Sequence, residues 1–139
     1  MFIRFIATLT LLLTLSFSGV ANAEDSAKPQ ITGTIQNQFD AFSTDDFEKA
    51  FTYASPFIKQ LFGTHQNFGV MVSRSYPMVH RAEDVRFLEL RTIAGSLYQK
   101  VQVRDANGQI HFLDYQMIQG ENGWKINGVQ LVKASGLSA

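Results

Sequence analysis

The 139-residue chain contains no cysteine. That absence excludes disulfide bridges, thiolate nucleophiles, cysteine-ligated metals and lipid attachment through a lipobox cysteine. Neither sign of charge is in surplus: 12 Lys and Arg balance 12 Asp and Glu. So balanced a chain offers no electrostatic footprint for nucleic acid or an anionic membrane. There is no Gly-rich phosphate loop, no nucleophile elbow, and no two of the three histidines stand at metal-ligand spacing. Internal repeats and low-complexity tracts are missing too. The longest apolar stretch, Phe5 to Phe17, is shorter than the roughly 20 residues that span a bilayer.

That stretch fits a different purpose. "MFIRFIATLTLLLTLSFSGVANA" has one basic residue, Arg4, an apolar run, and Ala21-Asn22-Ala23 in the small-x-small pattern of a cleavage site. Residues 1–23 therefore read as a signal peptide and the protein as exported, periplasmic or secreted; an uncleaved N-terminal anchor is the alternative. Cleavage leaves residues 24–139, with one more acidic than basic side chain, and no further membrane association is expected. Residues 24–29, "EDSAKP", read as a short polar lead-in, 30–132 as a single domain and 133–139 as a tail. The length suits one core. Without disulfides, that core must hold the fold by packing.

What is present in excess is phenylalanine. "FDAFSTDDFEKAFTYASPFIKQLF", residues 39–62, carries Phe39, Phe42, Phe47, Phe51, Phe57 and Phe62, half of the 12 in the chain. Ile31, Ile35, Phe39 and Phe42 make one helical stripe over about 30–43. Asp45 with Glu48 resembles a capping box for a second helix bearing Phe47, Ala50, Phe51 and Ala54. Ser55-Pro56 is an N-cap followed by proline at the first helical position, and Gly63 ends that third helix. A fourth opens at Thr64, carries Phe68, Met71 and Val72, and stops at Tyr76-Pro77.

From Val85 the hydrophobic period changes to two. Four strands are expected over 85–93, 96–104, 109–119 and 124–132, joined by "AG", "DANG" and "GENG" as an antiparallel meander. Treating "DANG" and "GENG" as three-residue loops with a bulge, and Ala94-Gly95 as a two-residue turn, sets the register. Val103 then faces His111, Val101 faces Leu113, Gln99 faces Tyr115 and Leu97 faces Met117. Likewise Leu113 faces Leu131, Tyr115 faces Val129, Leu88 faces Val101 and Leu90 faces Gln99. One sheet face becomes apolar, and the other aligns Glu89, Lys100 and Asp114. The phenylalanine helices must cover the apolar face. The expected class is α+β, with N-terminal helices packed on the concave face of a curved four-stranded antiparallel sheet.

The pieces "FDAFSTDDFEKAFTYASP", "FGTHQNFGVMVSRSYP", "QKVQVRDANGQ" and "GWKINGVQL", in that order over most of 30–132, resemble a bacterial family catalogued as domain-of-unknown-function family 4864. The ending, a Gly, an aromatic, a basic and an apolar residue before the last strand, is similar to the cone fold of the nuclear transport factor 2-like superfamily. The resemblance implies that fold and, commonly, a homodimer through the outer sheet face. It implies no single activity, because the superfamily holds isomerases, dehydratases, hydrolases, binders and interaction domains.

Enzymes on such a cone need a tuned acid or base inside the pocket. The register offers no carboxylate there: Asp114 and Glu89 turn outward into a salt-bridge ladder. The expected pocket lining is Tyr53, Tyr76, Gln99, His111, Tyr115 and Asn127, with the Tyr115 hydroxyl satisfied by Gln99 opposite. His111 with Tyr115 is the alternative catalytic pair, and no metal or cofactor is expected. On the outer face Ile110, Phe112, Ile118, Trp124 and Ile126 form an apolar patch that suits a homodimer interface. The sequence thus supports an exported binding or interaction module, taking a small apolar ligand or a partner protein. A dehydratase-, isomerase- or hydrolase-type enzyme and a structural domain with a filled cone are the alternatives.

Overall fold

The computed structural model describes residues 20–133. Most of the expected signal segment and the tail from 134 onward lie outside these residues. Five helices precede four strands: α1 Val20–Ser43, α2 Phe47–Thr52, α3 Pro56–Phe62, α4 His65–Ser75 and α5 Pro77–His80, then β1 Asp84–Ile93, β2 Ser96–Arg104, β3 Ile110–Gly120 and β4 Gly123–Val132. The strands form one antiparallel sheet in the order β1-β2-β3-β4. It curves beneath the helices, giving the α+β architecture expected from the sequence.

The stripe Ile31, Ile35, Phe39 and Phe42 is buried along α1, against Val101, Val103, Leu113 and Met117 of the sheet. Burying each such side chain contributes about 1.5–3 kcal/mol, so this seam dominates the packing of helix on sheet. α1 begins earlier than the periodicity shows. The stretch 24–29, read as a polar lead-in, is helical and carries the buried Ala27. Pro29 lies inside the helix, where proline usually breaks it. Tertiary bonds hold the turns before it: Lys28 Nζ donates to the Leu88 carbonyl at 3.0 Å, and Thr92 Oγ1 donates to Glu24 at 2.6 Å.

The caps of α3 and α4 are those expected. Ser55 Oγ accepts from the Ile58 amide, Gly63 closes α3 at φ 75°, and Thr64 Oγ1 accepts from the Asn67 amide. At α2 the cap is Asp46 rather than Asp45. Asp45 adopts φ 56° and turns its carboxylate to His80 and Arg81. Gly69 of α4 lets the Phe47 ring lie against the helix backbone; a Cβ there would sit 2.7 Å from Phe47 Cγ.

The register between β2 and β3 is the one that "DANG" implies, including Gln99 opposite Tyr115. Two bulges depart from the sequence reading. In β1 the pairing shifts between Phe87 and Leu90, so Phe87, not Leu88, faces Val101 and packs against the core. In β4 the shift falls between the partners of Gln116 and Met117, leaving Asn127 as the extra residue. Because each one-residue slip reverses the face, Ile126 is 4 % exposed in the core and Trp124 packs against it. Both were expected on the outer face. Leu131 opposes the buried Leu113, as expected, but lies beyond the helical cover and is 50 % exposed.

Candidate functional site

The phenylalanines do not fill the space between helices and sheet. A cavity of about 300 Å³ opens between α3, α4 and β4, with the end of α1 behind it. Phe42, Phe62, Phe68, Val72, Ile126 and Val129 make most of its wall. Phe57 and Leu61, one helical turn apart on α3, stand at the edge and are 60 % and 63 % exposed.

The β4 bulge determines where α3 sits. Around Asn127 the strand backbone leaves its ladder and pairs with the segment before α3. The Ser55 amide donates to the Ile126 carbonyl at 2.8 Å, and the Ile126 amide donates to the Tyr53 carbonyl at 2.9 Å, so Ala54 and Ile126 form a parallel bridge. Ser55 Oγ, which caps α3, also donates to Asn127 Oδ1 at 2.8 Å. Ser55 is fully buried there. A buried hydroxyl left unpaired costs roughly 1–3 kcal/mol, and here both of its hydrogen-bonding roles are used.

Four polar side chains reach the wall: Gln38, Tyr76, Tyr115 and Asn127. Gln38 Nε2 donates to the Ala50 carbonyl at 3.1 Å, and the Tyr76 hydroxyl donates to the Val129 carbonyl at 3.1 Å. Asn127 is held by Ser55. Tyr115 differs. Its ring is 1 % exposed and packs on Phe39 with centroids 6.1 Å apart. Its hydroxyl makes no hydrogen bond among the described residues, yet it is not one of the fully occluded polar atoms. Burial raises its ionisation well above the ordinary tyrosine range, with Tyr76 nearby adding to the effect, so the phenol stays protonated. No lining residue is Asp, Glu, Lys, Arg or His.

Tyr76, Tyr115 and Asn127 of the expected lining are thus brought together, and the other three are not. Tyr53 lies against the core beside the wall. Gln99 is sealed under the β1 bulge, its amide donating to the Leu88 and Lys100 carbonyls at 3.0 and 2.9 Å. The bulge frees the Leu88 carbonyl from the ladder, and Gln99 satisfies that rather than Tyr115. His111 sits outside the wall, its Nε2 2.8 Å from Asp105. That hydrogen bond, with backbone amides of the turn, lowers the Asp105 pKa. The pair His111 and Tyr115 is therefore not assembled in one cavity. Gln38 was missed by sequence reasoning because a glutamine one position from Phe39 reads as a solvent flank.

The outer face differs in detail from the expected ladder. Asp114 pairs with Arg91 at 2.7 Å, while Lys100, opposite it in register, reaches Glu89 at 3.7 Å and the Phe112 ring at 5.8 Å. The hydrogen bond that Arg91 donates to the Asp114 carboxylate raises the Arg91 pKa. With Trp124 and Ile126 turned inward, the outer apolar patch is reduced to Ile110, Phe112 and Ile118.

No curated protein and no solved structure matches the chain. A family model does, over residues 24–139, which is most of the sequence. The chain that builds this uncharged pocket belongs to the family described as Domain of unknown function (DUF4864).

Proposed function

We propose that the protein is an exported binding module that holds a small apolar molecule in a cone of the nuclear transport factor 2-like type. One observation carries this reading: the cavity of about 300 Å³ is open, walled by apolar side chains, and contains no charged group. Ligand sites typically measure about 300–1,000 Å³ and combine apolar walls with a few placed polar groups, so the volume is at the small end of that class. A domain filled by its own phenylalanines would not leave Phe57 and Leu61 exposed around an opening. An acid–base enzyme would need a titratable group in the wall with a pKa near the working pH. Tyr115 is the only titratable side chain beside Tyr76 there, and its burial pushes it away from that range. Export is supported by the signal-like segment and by the family match, which begins at Glu24, directly after the expected cleavage site.

The test is titration with the neutral fluorophore N-phenyl-1-naphthylamine. Saturable enhancement with one site per chain is expected. Val129→Trp, which places a large ring in the half-buried wall of β4, should reduce the affinity at least about tenfold while the circular dichroism spectrum is retained. Unsaturable emission, or binding unaffected by Val129→Trp, would sink the pocket reading.

A further inference from the structure

The wall's polar groups also describe the kind of ligand it would take, an inference that rests on the pocket reading above. Three of the four polar side chains already have protein partners, and each uses its donor hydrogen or its acceptor oxygen on the protein. The Tyr115 hydroxyl alone has none among the described residues, although its residue is 1 % exposed. Buried tyrosine hydroxyls ordinarily find a partner, since an unmade hydrogen bond in a dry site costs about 1–3 kcal/mol. The residue opposite, Gln99, turns its amide nitrogen to the Leu88 and Lys100 carbonyls, and its own Oε1, buried and without a partner, makes no hydrogen bond with the Tyr115 hydroxyl. What Tyr115 lacks is an acceptor, and the cavity is where one can approach.

Charge narrows the choice. An ionised carboxylate or phosphate brought into this wall would meet no Lys, Arg or His. Burying an unpaired charge costs far more than one hydrogen bond from a phenol returns. A pure hydrocarbon would fit the apolar wall but leave the hydroxyl unsatisfied. We propose that the pocket selects a neutral, largely apolar molecule that presents a carbonyl oxygen, as in a ketone, ester or amide, and that the Tyr115 hydroxyl donates to it. Phe57 and Leu61 then receive the hydrocarbon end at the mouth.

The test is competition against bound N-phenyl-1-naphthylamine by three probes of one chain length: 2-nonanone, its isostere 2-methyl-1-nonene, and nonanoate at pH 7. In the native protein the ketone and the alkene both displace the fluorophore, and nonanoate does so at least about tenfold more weakly than the ketone. Tyr115→Phe keeps the ring on Phe39. It should lower the ratio of ketone to alkene affinity about fivefold, the equivalent of one neutral hydrogen bond. Taking the ratio cancels the different hydration of the two probes. Tyr98→Phe, which removes a phenol from the outer sheet face away from the cavity, should leave the ratio unchanged. A measurement on the native protein stands beside the variants: the carbonyl stretch of bound 2-nonanone moves to lower frequency than in hexane. An unchanged ratio in Tyr115→Phe, an unshifted stretch, or equal displacement by nonanoate would overturn the carbonyl proposal while leaving the pocket standing. Failure of the fluorophore and of all three probes to bind would remove the pocket itself.

Discussion

Asp45 shows how much one side chain can do away from the pocket. Its backbone is left-handed, a conformation that Asp and Asn tolerate better than most residues. The carboxylate receives two hydrogen bonds of 2.9 Å from Arg81 and one contact of 2.6 Å from His80, and so fastens the end of α1 to the end of α5. Arg81 first, and His80 after it, lower the Asp45 pKa from 3.8 to about 2. A group depressed on folding contributes its full stabilisation above its unfolded pKa and loses it as pH falls through the folded value. Asp45→Asn preserves the backbone preference but removes the charge. The variant should melt below the native protein at pH 7, and the gap should close between about pH 4 and pH 2. Thermal unfolding at a series of pH values checks this, and a constant gap would show that the ion pair contributes nothing. In the sequence Asp45 looks like a helix cap. Its actual partners lie 35 and 36 residues away, and no local pattern reveals them.

At the scale of the element, two helical glycines have opposite meanings. Gly33 in α1 is exposed, with nothing within 4 Å of a Cβ built on it. Gly33→Ala should therefore stabilise by about 0.5–1 kcal/mol through helix propensity. Gly69 in α4 lies under Phe47. Gly69→Ala gains the same propensity but must displace the ring, and overpacking costs about 1–3 kcal/mol, so the net change should be destabilising. Urea titration of the two variants measures both signs in one experiment. The elements themselves were legible: capping residues, helical stripes and turn residues gave the order of helices and strands and the pairing of β2 with β3. The short α5 was hidden, because Tyr76-Pro77 ends one helix and also starts the next. The two bulges were hidden as well. Each is filled by a side chain from another element, Gln99 in one case and Ser55 in the other, and a hydrophobic alternation contains no mark of that. Since Trp124 and Ile126 lie beyond the β4 bulge, the single extra residue was enough to send them to the wrong face.

At the scale of the whole molecule, the sequence conveyed that helices cover a sheet but not how completely. Volume is a property of the assembled cone. Phe42, Phe62 and Phe68 are core residues by any pattern, yet each also faces open space. Of the expected lining, Tyr115 stands at the cavity through the register and Tyr76 through the helix end, whereas Asn127 stands there as the bulge residue that the alternation does not mark. The proposed export has its own check. Mass spectrometry of the protein recovered from the exporting cell should give a chain starting at Glu24, and α1 should still be anchored by Lys28, Ala27 and Ile31. A product retaining Met1 or the apolar segment would count against cleavage.

The attachment of α3 has a kinetic consequence. None of its residues is buried, and it touches mainly β4 and α4. Its position depends on the bridge from Ala54 to Ile126, which joins chain segments about seventy residues apart and can form only after the last strand is in place. Few apolar contacts and a small number of hydrogen bonds mark the units that open at the least cost. The α3 side of the pocket wall is therefore the part expected to open first, while Phe42, Phe68, Val72 and Ile126 behind it belong to the core. Amides of α3 should exchange with solvent well before those of the sheet, and a guest can pass beneath Phe57 and Leu61 while the rest of the fold stays intact.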